Sequence, residues 1–275
     1  MCIRDRPADD PDPGHIVVAS VASHEYPDNP YIEIAHFVHR DTGEDYFILV
    51  NRRCCPGNTL ECTEEEVQTL DVQLNVGGIS LIEDVLASKR EWDGDPDRVA
   101  YRIVDASEPY FTAKLKPGEG KLFRVTSGLS GVIDEDRYFS GEVLISGALS
   151  VGSGATLVVE PSTTVKFSGG ASLTVEGTLE ARGDRSAPVV FTSSSSNPSP
   201  GSWYGIVVNG GGEIDLNHAR VEYAVYGVKS SYADVELRNS EFMRNKWGCR
   251  LYHSDGAVID NCVFSDNYYY GALLS

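Results

Sequence analysis

An aromatic–Gly–apolar triplet returns four times in the last quarter of the chain: Tyr204-Gly205-Ile206, Tyr226-Gly227-Val228, Trp247-Gly248-Cys249 and Tyr270-Gly271-Ala272. The glycines stand 22, 21 and 23 residues apart. A fixed period of this length is the mark of a solenoid, each period forming one turn stacked on the turn before. The glycine suits a corner where the chain turns without a Cβ, at positive φ if need be. The residue after it opens an inward-facing strand.

The period is visible earlier too. Leu149 and Val151 recur as Leu173 and Val175, Leu157 and Val159 as Leu179 and Ala181, and Val165 and Phe167 as Val189 and Phe191. Later, Leu216, Leu237 and Ile259 fall in line, as do Val221, Phe242 and Phe264. Each turn therefore carries three short strands with apolar residues at i and i+2, facing inward. Stacking like on like at the spacing of paired strands gives a parallel β-helix of about five rungs over residues 141–275, right-handed by the usual chirality of crossovers. Asn239 with Asn261, and Asn245 with Asn267, read as turn asparagines, tolerant of the left-handed conformation and able to stack their amides.

Residues 141–275, through "GATLVVEPSTTVKF", "LTVEGTLEARGDRSAPVVFTS", "SWYGIVV", "VELRNSEFMRNKWGC" and "AVIDNCVFSDNYYYGA", resemble the secreted bacterial right-handed parallel β-helix repeat proteins. The resemblance implies a fold shared by polysaccharide lyases and hydrolases and by surface proteins without known chemistry.

Residues 15–126 alternate differently. "IVVASVAS", "YIEIAHFVH", "DYFILVNR", "LDVQLNV", "SLIEDVL" and "YFTAKLKPGEGKLFRV" read as antiparallel strands of a β-sandwich, the last containing a tight Pro-Gly hairpin. "TEEEVQTL" earns one helical turn at most. This stretch is similar to the β-sandwich that follows the catalytic barrel in several glycoside hydrolase families. That module carries no catalytic residue, so the likeness implies catalysis upstream. Residues 7–14 and 127–140 read as linkers.

A formal charge of -18 constrains partners. Residues 1–130 hold 13 basic and 24 acidic residues and the remainder 10 and 17, so the excess is not one tail. Such a surface repels nucleic acid and anionic lipid. No apolar run reaches the roughly 20 residues of a membrane helix, and no secretory signal follows Met1. The opening "MCIRDR" resembles the translation of a sequencing adapter, and residues 1–6 are set aside as an artefact. The chain stops inside a repeat at "YYYGALLS", which reads as truncation. It leaves Phe264, Leu273 and Leu274 near an open strand edge, from which self-association is expected.

Cys54, Cys55 and Cys62 sit in a Pro/Gly/Asn loop without zinc-site spacing. They are a candidate disulfide, Cys62 to Cys54 or Cys55, or else three free thiols. Cys249 and Cys262 fall on inward positions, as buried thiols or as a disulfide across the coil. No metal site or cofactor is implied, although a structural calcium stays open. Asp234, Asp255, Asp260 and Asp266, with Arg238, Arg244, Arg250 and His253 nearby, form no pair in register, so no catalytic residue is assigned. His36, His39 and His218 stand alone, and "TSSSSNPSPGS" is a loop excursion between rungs. Trp203, Tyr204, Tyr226, Trp247, Tyr268, Tyr269 and Tyr270 would form a strip along the coil. Exposed, it is a candidate glycan-binding platform; packed at the corners, it is scaffold.

The expectation is an all-β, non-catalytic fragment of an exported or cell-surface protein, its β-helix a scaffold or a surface for polysaccharide or cell-surface glycan. The alternative is the accessory tail of a multidomain polysaccharide-degrading enzyme. A weaker one is a β-helix lyase or hydrolase with its site in missing rungs.

Overall fold

The computed structural model describes residues 18–25, 27–28, 32–52, 67–91, 99–254 and 256–275. They form two compact units. The first comprises the described residues within 1–86 and 95–127, and the second those within 87–94 and 128–275.

The first unit holds two antiparallel sheets. One orders β1 (Val18–Ser23), β4 (Gln68–Leu74) and β7 (Tyr110–Leu115) as β1-β4-β7. The other, ordered β2-β3-β8-β5-β6, contains β2 (Ile32–Val38), β3 (Asp45–Asn51), β5 (Ser80–Asp84), β6 (Tyr101–Val104) and β8 (Gly120–Thr126). Alternation of apolar residues turns one face of each sheet into a shared core. Leu70, Val72 and Phe111 of the first meet Phe47, Phe123 and Val125 of the second, with Phe111 and Phe123 centroids 5.2 Å apart. The Pro-Gly turn is not a hairpin. β7 pairs with β4 and β8 with β3, so the turn carries the chain from one sheet to the other. The end of β3 fixes it: Gly118 N–H donates to Asn51 O (2.9 Å) and Asn51 N–H to Glu119 O (2.9 Å). "TEEEVQTL" lies mostly outside the described residues, as do the candidate disulfide cysteines Cys54, Cys55 and Cys62.

The second unit is a parallel β-solenoid of six turns. One column of strands is ordered β10-β12-β15-β18-β21-β24: β10 (Arg137–Phe139), β12 (Thr156–Val159), β15 (Thr178–Arg182), β18 (Glu213–Asn217), β21 (Asp234–Arg238) and β24 (Val258–Asp260). The other two columns join through the long strand β11 (Glu142–Val151), whose two halves pair separately. Its first half leads the second column: β13 (Thr164–Phe167), β16 (Val189–Ser193), β19 (Ala219–Glu222), β22 (Glu241–Met243) and β25 (Val263–Ser265). Its second half leads the third: β14 (Ser172–Val175), β17 (Trp203–Val208), β20 (Ala224–Ser231), β23 (Trp247–Tyr252) and β26 (Tyr270–Leu274), with β9 (Leu129–Ile133) on its other edge. Six turns rather than five arise because β9 and β10 lie inside the stretch 127–140 read as linker.

Inward columns are buried up to the last turn, where Ile259 is half-buried and Ala272 exposed. Leu157 stacks on Leu179 and then Ile214; Leu216 on Leu237 and then Ile259; Ile206 on Val228, Cys249 and Ala272. One register differs from expectation by two residues. Val165 faces Phe191 and Phe167 faces Ser193. The small Ser193 leaves room for Trp203, whose indole lies on the Phe167 ring at 3.9 Å and 8°.

The corners repeat as regularly as the strands. His218, Asn239 and Asn261 take positive φ at one corner, Tyr223, Arg244 and Asp266 at the next, and Tyr232 and His253 at the third. Asn261 Nδ2 donates to Asn239 Oδ1 (2.8 Å), and Asn239 Nδ2 to Asn217 Oδ1 (2.9 Å). Asn245 and Asn267 do not themselves take positive φ; they follow the residues that do. Buried Asn245 links turns instead, accepting from Ala224 N–H (2.8 Å) and donating to Val221 O (2.9 Å).

The triplet glycines stand within strands β17, β20, β23 and β26, not at corners. Positive φ explains only Gly205; at Gly248 a Cβ would lie 2.2 Å from the Gly271 carbonyl oxygen of the next turn. Close stacking of backbone on backbone requires the first three, and at Gly271 a Cβ would meet the Phe264 side chain.

Candidate functional site

Alternation along the third column directs every second side chain outward, and the outward residue before each triplet glycine is aromatic. Ring centroids of Tyr204 and Tyr226 lie 5.8 Å apart, Tyr226 and Trp247 6.4 Å, and Trp247 and Tyr270 5.3 Å. These spacings exceed the 3.9 Å of the buried Phe167–Trp203 stack, so the rings form a side-by-side ridge along the axis. Tyr269 joins at 5.1 Å from Trp247, and Tyr268 packs edge-on against Tyr269. Tyr204 is 40 % exposed, Tyr270 56 % and Tyr268 72 %; Tyr226 and Trp247 are half-buried.

Trp203 does not belong to this ridge. It points inward, is fully buried, and donates through Nε1 to Glu222 O (2.8 Å). Adjacent residues of a strand face opposite ways, so Trp203 and Tyr204 cannot share one face.

Two cations were not anticipated as part of this face. Lys229 and Arg250 occupy one outward column, in register with Val207 and Leu273. Lys229 Nζ stands 5.4 Å from the Tyr226 ring centroid. The Arg250 guanidinium carbon stands 4.9 Å from both the Trp247 and Tyr252 rings. Cation–π attraction holds both heads against the ridge. The signal was present in the sequence: each cation follows its aromatic by three residues, on the same strand.

The first column carries a different outer face. Glu180, Asp215 and Glu236 stack in register on β15, β18 and β21. Of the aspartates expected to form no pair in register, Asp234 stands opposite Glu213 and Asp260 opposite Arg238. The loop between β16 and β17 stretches one turn, which hides the Glu180–Asp215 register from a search at fixed period. Arg238 hydrogen-bonds Glu236 and holds its carboxyl below the usual range. Burial, with Glu236 and Glu180 nearby, pushes the Asp215 carboxyl up; Arg238, 3.8 Å away, only partly opposes this. Asp234 and Asp260 lie on strands of this same column, Asp266 lies at a corner, and Asp255 lies outside the described residues.

A cleft of about 210 Å³ at the first corner is lined by Asp184, Arg185, His218, Arg220 and Glu241. Its charges are largely satisfied internally. Arg220 pairs with Glu241 at 3.0 Å, and Asp184 accepts from Ser186 and Ala187 amides. Cys249 and Cys262 are free thiols, and Cys262 donates to Leu237 O at 3.3 Å, as a serine would. Among the described residues no three His, Cys, Asp or Glu side chains gather as a metal site requires.

A family model described as a pectate-lyase-like β-helix domain matches residues 132–234. The matched span runs from β9 to the first residue of β21, taking in the first two members of the ridge, Lys229, Glu180 and Asp215. No curated protein and no solved structure matches the chain. The similarity fits a role connected with polysaccharide.

Proposed function

We propose that the solenoid is a non-catalytic glycan-binding surface, with the ridge Tyr204–Tyr226–Trp247–Tyr270 as its platform and Tyr268 and Tyr269 at its far end. The carrying observation is an outward aromatic in register on three successive turns, Tyr226, Trp247 and Tyr270, extended by Tyr204, which is offset by one residue at a register shift and meets Tyr226 edge-on. Adjacent turns lie about 4.8 Å apart, close to the advance of one ring in an extended sugar chain. Aromatic rings pack well against the apolar C–H faces of sugars, and a run of them engages several units at once. The reading carries with it a place outside the cell or on its surface, where such polymers lie. Affinity electrophoresis against a panel of soluble polysaccharides tests it. Retardation by at least one polymer is expected, with Trp247→Ala weakening it about ten-fold, the ~1.4 kcal/mol of one lost aromatic contact. Unchanged mobility against every polymer would sink the reading.

The carboxylate column favours a second reading, a glycoside hydrolase. Two acids whose environments drive their protonation apart suit an acid and its partner. Their turns are roughly 4.8 Å apart, near the ~5 Å separation of retaining enzymes. Asp215 would be the acid and Glu236 the nucleophile. Release of new reducing ends, lost in Asp215→Asn, would favour this reading over the binding surface.

A further inference from the structure

The three outer faces of the solenoid sort charge in different ways. On the first column, acids outnumber bases: Glu180, Asp215 and Glu236 form its central outward row. On the second, Lys166 pairs with Glu142 (2.7 Å) and Arg220 with Glu241 (3.0 Å), and Glu222 accepts from the Thr192 hydroxyl. On the third, strands β14, β17, β20, β23 and β26 contain Lys229 and Arg250 and no Asp or Glu at all. A chain of formal charge -18 thus keeps carboxylates off the strands of one face, the face that bears the aromatic ridge.

The two cations there are not consumed by the fold. Among the described residues neither forms an ion pair, and the Arg250 Nε is buried without a hydrogen-bond partner. Arg250 lies between Trp247 and Tyr252, which restrains its planar fork before any ligand arrives. A guanidinium held in this way matches the two oxygens of a carboxylate or a sulfate ester better than a mobile ammonium does. Lys229 sits one turn away in the same column, so successive cations follow the axis as the ridge does. The acidic faces do not cancel this pattern at physiological salt, because charges more than about 8 Å away through solvent are largely screened.

We infer that this face selects glycans bearing anionic groups, the sugar rings against Tyr226 and Trp247 and the acid groups on Lys229 and Arg250. The inference rests on the glycan-binding reading and deepens it by naming the ligand class. The test uses the full chain and three probes: alginate, carboxyl-reduced alginate and a neutral β-glucan, in affinity electrophoresis at physiological salt. Alginate is expected to bind at least ten-fold more tightly than its reduced form. The K229Q/R250Q double variant should erase that difference between the two polymers. Arg250→Lys should recover only part of it, since charge returns without the fork. Equal binding of alginate and reduced alginate would overturn the selection for anions while leaving the ridge as a glycan platform. No binding of any probe would overturn both.

Discussion

The residues that make this solenoid are those whose side chains, or lack of one, are needed inside a repeating backbone. At Gly248 a Cβ would meet both a carbonyl of the next turn and the Phe264 ring. At Asn245 the amide replaces hydrogen bonds that the corner backbone cannot make with itself. Cys249 occupies the column position held by Val228 below it. Burial, reinforced by the nearby Cys262 thiol, pushes its pKa up to about 12, against 9.0 for an ordinary thiol. The sign follows from linkage. Above pH 9 the unfolded chain releases a proton that the folded one keeps, so stability falls as pH rises from 9 towards 12. At pH 10 the loss is on the order of 1 kcal/mol. Urea denaturation at pH 8 and pH 10 should show this drop in the parent chain and a correspondingly smaller one in Cys249→Ala. Parallel pH dependence in the two proteins would show that the thiol is not shielded.

At the scale of elements, alternation explains both what could be read from the sequence and what could not. Inward pairs such as Leu157 with Val159 declare strand and face, and equal residues one period apart declare the stack. A period of two, however, is blind to even shifts. Moving β16 by two residues against β13 preserves every inward side chain, so Val165 over Phe191 was no less consistent than Val165 over Val189. The size of Trp203 decides the matter, and only in three dimensions. The Pro-Gly turn between β7 and β8 was misread for a related reason: turn chemistry declares a reversal but not which sheet receives the next strand. Had alternation been applied strictly within "WYG", Trp203 would have been separated from Tyr204 at once. Their contrast is a direct check on the fold. Trp203→Ala removes a buried stack and leaves the Glu222 carbonyl without its donor, and should cost ~3–5 kcal/mol. Tyr204→Ala, on the solvent side, should change stability by less than ~1 kcal/mol. Similar losses in thermal or urea denaturation would mean that the two side chains share an environment.

For the whole molecule, boundaries in sequence and boundaries in space differ. Residues 87–91 interrupt the first unit in sequence yet belong to the second. There Lys89 pairs with Glu135 at 3.1 Å and Glu91 with Arg182 at 2.6 Å. No local pattern announces such a crossing, because the partners lie some 45 to 90 residues away. Strands β24, β25 and β26 each have a paired neighbour on one side only, and Val263, Tyr270 and Leu274 are more than half exposed. Parallel strands with open edges and apolar side chains are a template for another chain. The net charge of -18 opposes association at long range, but salt shortens that repulsion to about 8 Å under physiological conditions. The chain as it stands should therefore associate through this edge once molecules are close. Light scattering across a concentration series should show mass rising with concentration, more steeply as salt is added. Val263→Lys, which places a charge on the edge, should return the chain towards monomer, whereas a lysine at an exposed site of the first unit should not. A mass that stays monomeric at high salt and high concentration would mean that the last turn shields its own edge.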